Sequence, residues 1–155
     1  MTPDLIAFAL ALPQPVRDAL LDVDPTGVGW YLYGLAAPAL TTRDSFRRPV
    51  RASRLGAVWL PCNPLAIVER AAIERGLDCA PSMSRTSNGW RFALVVEGQH
   101  GQDVEVESAS GPCPYTAAIG LLQKVLSGAQ LPEVARSGPE PKLRNPRHDP
   151  RRADR

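Results

Sequence analysis

The chain has 155 residues, 44% of them hydrophobic, which favours a single domain with a substantial core, with or without an appendage. Its formal charge of +2 is unevenly distributed, since residues 133–155 hold seven basic and four acidic side chains and residues 1–132 hold 11 basic and 12 acidic ones. A nearly neutral body lacks the broad positive field that usually accompanies nucleic-acid binding.

The first 60 residues predict two short helices followed by one or two strands. Thr2 and Pro3 favour a helix start, and that helix is expected to run to about Leu12, with a second from Pro15 to about Asp22. The apolar stretch 5–16 is about a dozen residues long, well below the roughly 20 needed to cross a bilayer, and its acidic flank is unlike that of a secretory signal. Strands are expected over 30–35 and 55–60.

An arginine-rich run separates these two strands. The sequence TTRDSFRRPVRASR contains five arginines and one aspartate, and Pro49 excludes a continuous helix through it. A basic run of this kind suits contacts with phosphates or with an acidic partner, although solvated arginines are also common on surfaces. The candidate interaction side chains are Arg47, Arg48, Arg51 and Arg54.

Residues 61–131 predict a domain with the element order αβββα. Asn63 and Pro64 open a helix that Gly76 ends, and a strand over 77–83 leads to a turn over 86–89. A hairpin follows within WRFALVVEGQHGQDVEVES, and a final helix runs from Pro114 to Gly128.

The register of the hairpin follows from its alternating apolar residues. A three-residue loop over 99–101 pairs Val96 with Val104 and residue 94 with residue 106, which keeps apolar side chains on one face and puts a glycine at the left-handed loop position. The same register puts Asp103, Glu105 and Glu107 together on the opposite face. Such a row is typical of a solvated strand, and it is also a candidate carboxylate site.

The expected fold is therefore α+β. A three-stranded antiparallel sheet carries two helices on one face, and residues 1–60 pack on it as an extension. Residues 132–155 form a basic, proline-rich tail with few apolar side chains, which predicts disorder.

The segment Cys113-Pro114-Tyr115-Thr116 after a strand resembles the active site of glutaredoxins. That resemblance implies a thiol activated by the positive end of a helix, in a monothiol form because Thr116 stands at the second cysteine position. The scaffold that follows this site in glutaredoxins has no counterpart here, because the predicted helix is the last ordered element. The alternative is that Cys113 is the N-cap of the helix, with Pro114 at its first position.

The remaining candidates for metal or cofactor chemistry are sparse. Three cysteines without close spacing fit a reduced, cytoplasmic protein better than a disulfide framework. A zinc site built from His100 and these cysteines would lack the close-spaced ligand pairs that structural sites use, so no metal and no cofactor is expected. The cysteines are Cys62, Cys79 and Cys113.

Two family resemblances bear on the domain 61–131. Its αβββα order resembles the double-stranded RNA-binding domain, but the lysines that reach phosphates in that family are replaced here by Cys113 to Ala118. A second resemblance, to small phage proteins of the "ABA sandwich" type, lies in Asn88-Gly89-Trp90 and in Gly111-Pro112-Cys113-Pro114. It implies a phage or prophage accessory protein.

The leading functional hypothesis is a non-enzymatic interaction module that binds a protein partner. The first alternative is a nucleic-acid-binding protein that uses the run from Arg43 to Arg54 and the basic tail. The third is a glutaredoxin-like thiol at Cys113. The sequence leaves the oligomeric state open.

Overall fold

A computed structural model describes residues 1–24, 26–34, 36–43, 56–76, 78 and 80–128. The chain is an α+β protein with four helices and two antiparallel three-stranded sheets over these residues, as the sequence predicts for the fold class. In chain order the elements are α1 Pro3–Leu10, α2 Gln14–Leu21, β1 Val28–Tyr33, β2 Ala39–Thr42, β3 Ala57–Pro61, α3 Pro64–Arg75, β4 Ala80–Thr86, β5 Gly89–Glu97, β6 Asp103–Gly111 and α4 Pro114–Leu126.

The N-terminal segment forms its own sheet, with strand order β2-β1-β3. It has three strands where the sequence predicted one or two. The additional strand is β2, in which Leu40 pairs with Trp30 of β1. Three of its four residues are exposed, so β2 has no buried alternation that would have identified it.

The segment from α3 to α4 has the predicted αβββα arrangement, with strand order β4-β5-β6 and both helices packed on one face of the sheet. The cap of α3 is as expected, because the Asn63 side chain accepts from the Leu65 N–H at 3.0 Å and Gly76 ends the helix with a φ of 60°. Strand β4 continues to Thr86, beyond the expected end at residue 83, because Thr86 pairs with Gly89 across a two-residue turn.

The hairpin of β5 and β6 has the predicted three-residue connection, and Val96 pairs with Val104. The predicted pairing of Leu94 with Val106 is wrong, since Leu94 faces Glu107 and Val95 faces Glu105. A β-bulge at Val106 inserts one extra residue and reverses the alternation beyond it. Glu107 therefore does not continue the row of Asp103 and Glu105.

One hydrophobic cluster joins the N-terminal segment to the αβββα unit. Leu20 of α2 and Leu60 of β3 are fully buried in it, together with Ile67 of α3, Phe92 of β5 and Leu122 of α4. The helices thus have buried side chains toward both sheets. Residues 132–155, for which the sequence predicts disorder, lie outside the described residues, and the proposed boundary near residue 60 stays a prediction.

Candidate functional site

Cys113 is the N-cap of α4, as the sequence predicted. Its backbone is extended, Pro114 is the first helical residue, and Thr116 Oγ1 accepts a hydrogen bond from the Cys113 N–H at 3.2 Å. The Thr116 hydroxyl also donates to the Cys113 carbonyl oxygen at 2.9 Å, and the Cys113 sulfur lies 3.6 Å from the same hydroxyl. The cysteine is thus held against the first turn of α4 by a reciprocal cap.

Cys113 also borders a cleft of about 650 Å³ between α1 and the start of α4. Leu5 and Phe8 of α1 form an apolar wall, and Gly120 of α4 leaves bare backbone in the lining. This volume is within the range of small-ligand sites. The titratable side chains in the described lining are Asp4 and Cys113, so the described lining pairs the thiol with no histidine base of the kind that activates many cysteine nucleophiles.

Tyr115 connects the start of α4 to the end of β3. Its hydroxyl lies 2.9 Å from the carbonyl oxygen of Pro61 and 2.8 Å from that of Cys62. Burial raises the pKa of Tyr115 to about 12, with smaller contributions from the nearby thiols of Cys62 and Cys113. The phenol therefore stays protonated at neutral pH and acts as a structural donor.

Two glycines bring the turn before β5 against the start of α4. A Cβ on Gly89, which has a φ of +146°, would lie 2.2 Å from the carbonyl oxygen of Gly111. A Cβ on Gly111 would lie 2.3 Å from Thr116 Oγ1 and 2.7 Å from the Ala117 nitrogen. The two segments that carry the phage-protein resemblance therefore meet in space, and each requires a glycine at the contact.

The outer edge of β6 is occupied by side chains at Ser108. In an antiparallel sheet, every second residue of an edge strand directs its N–H and C=O away from the neighbouring strand. The two-residue turn between β4 and β5 sets which residues of β5 bond to β4, and Ala93 is one of them. Its partner Ser108 therefore directs its N–H and C=O outward. Lys124 Nζ donates to the Ser108 carbonyl oxygen at 2.6 Å, and a carboxylate oxygen of Glu107 accepts from the Ser108 N–H at 3.1 Å. Lys124 and Glu107 are themselves 3.6 Å apart. Both backbone groups of this edge residue are therefore engaged.

Strand β4 forms the opposite edge of the same sheet and is exposed along almost its whole length. By the same alternation of hydrogen-bonded and outward residues, the backbone groups of β4 that point away from β5 belong to Pro81, Met83 and Arg85. Met83 is 54% exposed, and the Arg85 guanidinium carbon lies 5.9 Å from the centre of the Trp90 ring. Among the described residues, no side chain hydrogen-bonds to the outward backbone groups of this strand, and we call this side of β4 the open edge.

The sequence analysis does not identify the open edge, although APSMSRT carries a signal for it. This segment has no alternation of apolar and polar residues, so neither of its faces is expected to be buried, which is typical of an edge strand. The sequence carries no such signal for the contacts of Lys124 and Glu107 with Ser108, because the bulge that positions Glu107 cannot be deduced from alternation alone.

The carboxylate row predicted on the outer face of this sheet is only partly present. The Arg91 guanidinium donates a hydrogen bond to the Glu105 carboxylate, and it also donates to Ser108 Oγ at 3.0 Å. Hydrogen bonds from Arg91, and then Ser108, hold the pKa of Glu105 below its ordinary value. Glu107 is turned toward Lys124, so the three acids do not converge.

The candidate interaction arginines Arg47, Arg48, Arg51 and Arg54 lie outside the described residues. Arg43, the first residue of their run, is 9% exposed and donates to an Asp22 carboxylate oxygen at 3.0 Å. That arginine is engaged within the protein and is not a free surface cation.

The candidate zinc ligands are likewise not brought together over the described ranges. Cys62 is exposed at the end of β3, and His100 lies in the hairpin loop with a φ of 70°, while Cys79 falls outside the description. In the part of the chain that the structure describes, no three acidic, histidine or cysteine side chains form a metal-sized group. Its helices are also each too short or too polar to cross a bilayer.

Comparison of the chain with models of protein families, with curated proteins and with solved structures gives no significant match.

Proposed function

We propose that this protein is a non-enzymatic interaction module that binds an extended segment of a partner protein along the open edge of β4. The observation that carries the proposal is the difference between the two edges of one sheet. Side chains bind both backbone groups of Ser108 on β6, whereas no side chain of the described residues hydrogen-bonds to an outward backbone group of β4.

Strand addition to such an edge draws its affinity from main-chain hydrogen bonds and its specificity from alternate side chains. Met83 and Arg85 offer an outward N–H and C=O each, and Pro81 offers a C=O. Toward the helices the incoming segment meets exposed Met83 beside the Arg85–Trp90 pair. On the other face it meets Ser82 and Ser84, which are small and polar.

The proposal includes a phage or prophage origin. Support comes from the contact of Gly89 with Gly111, because the two short motifs that resemble phage "ABA sandwich" proteins form a single joint in the fold. In this setting the partner is a host or phage protein.

The test is differential capture of partners from a cell lysate with three versions of the full chain. Met83→Pro removes one outward N–H but leaves the ladder to β5 intact, and Pro81 on the same side of this strand shows that the site tolerates proline. Met83→Thr is the matched control, because it changes the side chain and keeps the N–H. A partner retained by the wild type and Met83→Thr but lost with Met83→Pro supports the proposal.

Two results would contradict it. Equal capture by Met83→Pro would exclude the open edge as the binding surface. Repeated recovery of the protein alone would count against an interaction module. Loss of the captured partner after nuclease treatment would instead favour the nucleic-acid alternative.

A further inference from the structure

We infer that a second copy of this chain pairs with the open edge, strand β4 against strand β4, in an antiparallel register centred on Met83. The result is a continuous six-stranded sheet with a twofold axis at Met83. This inference rests on the proposed function, since it names the extended segment that the edge binds in the purified protein. A heterologous segment would compete for the same edge and yield a complex with one copy.

The backbone groups of β4 are self-complementary in this register. Each Met83 N–H donates to the Met83 C=O of the other copy, and each Arg85 N–H donates to the opposite Pro81 C=O. Four main-chain hydrogen bonds form, and all residues of Ala80–Thr86 overlap. A register centred on Ser84 also forms four bonds, but its overlap is limited to residues 82–86.

Charge and side-chain packing favour the same register. Arg85 is the one charged residue of β4, and here it faces Pro81, whereas a register centred on Arg85 would place two guanidinium groups opposite each other. The two Met83 side chains lie side by side at the axis. Because each is 54% exposed in the single chain, pairing removes apolar surface from water at the centre of the interface.

The first test is the molar mass of the full-length protein in solution, measured by sedimentation over a dilution series. The wild type and Met83→Thr are expected to be dimers that dissociate on dilution. Met83→Pro, which removes two of the four bonds, is expected to be a monomer with an unchanged circular dichroism spectrum. A monomeric wild type, or a folded Met83→Pro variant that still forms dimers, would overturn the inference.

A second test does not depend on the proline variant. In a background with Cys62→Ser, Cys79→Ser and Cys113→Ser, single cysteines are introduced as Ser82→Cys, Met83→Cys or Ser84→Cys, and disulfide-linked dimers are measured after oxidation. Directly opposed residues in such a pair have Cα atoms about 5.5 Å apart, within disulfide range. We expect cross-linking at position 83 and not at its neighbours. Cross-linking at position 84 alone, or at none of the three, would overturn this register.

The two proposals fail separately. A monomeric wild type whose captured partner is lost with Met83→Pro would overturn the second copy as occupant and leave strand addition intact. A dimer that is insensitive to Met83→Pro, together with partner capture that is equally insensitive, would overturn both.

Discussion

The phenol of Tyr115 and the carbonyl oxygen of Cys62 are 2.8 Å apart, although 53 residues separate them in the chain. This contact joins the start of α4 to the end of β3. Replacing Tyr115 with Phe removes the donor and leaves the Cys62 and Pro61 carbonyls without it. We expect a loss of about 1 kcal/mol in the free energy of unfolding, measured by urea denaturation. An unchanged midpoint would show that water replaces the phenol at no cost.

The same phenol predicts how stability depends on alkaline pH. Burial raises the pKa of Tyr115 from 10.0 to about 12 in the folded chain. Between these values the unfolded chain loses the proton that the folded chain keeps, so the free energy of unfolding should fall as pH rises from 10.0 toward 12. Absorbance titration of the wild type against Tyr115→Phe isolates this group, because burial and Tyr33 also raise the pKa of Tyr31. A Tyr115 that titrates at 10.0 would contradict its half-buried position.

Substitutions of Gly111 and Gly120 by alanine are expected to change stability in opposite directions. Gly111→Ala places a Cβ 2.3 Å from Thr116 Oγ1, so we expect a destabilisation of roughly 1–3 kcal/mol. Gly120→Ala meets Ala109 at an ordinary 3.4 Å and lies within α4, so it should stabilise by up to about 1 kcal/mol. Thermal unfolding of both variants checks the pair, and equal effects would show that the close approach is relaxed in solution.

Two substitutions at the start of α4 distinguish the structural role of the Thr116 hydroxyl from any role of the Cys113 thiol. Thr116→Val keeps the shape and removes the hydroxyl that bonds both backbone groups of Cys113, so it should cost about 1 kcal/mol. Cys113→Ser should cost much less, since serine is a good N-cap. Partner binding should also survive Cys113→Ser. Its loss in this variant would revive the thiol hypothesis.

Removing the Lys124 and Glu107 side chains from the edge of β6 is expected to cause self-association. In the Met83→Pro background, combining Lys124→Ala with Glu107→Ala frees both backbone groups of Ser108, and we expect new self-association by light scattering. Lys124→Arg keeps a cation at this position and serves as the control, with no association expected. If the double alanine variant stays monomeric, these side chains do not protect the edge.

The sequence predicted those parts of the fold that local chemistry determines. Asn63 and Gly76 bound α3 as expected, and Cys113 caps α4, because capping depends on a few adjacent residues. It did not predict β2 or the bulge at Val106. Strand β2 depends on pairing Leu40 with Trp30, and the bulge shows only in how β6 pairs with β5, so neither could be deduced from adjacent residues.

The candidate site likewise depends on contacts that adjacent residues do not determine. Strict alternation predicts that Glu107 lies in one row with Asp103 and Glu105, as a solvated face or a carboxylate site, but β6 does not alternate strictly. The importance of β4 comes from its place at the edge of a sheet, and strand order is a property of the whole chain.

The pair Lys124 and Glu107 has one more consequence if two copies join through β4. The joined sheet then ends on both sides at β6, where Ser108 is already bonded to these side chains. A third copy would have to displace these side chains in order to pair with Ser108, which favours termination at a closed, symmetric pair over growth into a fibre.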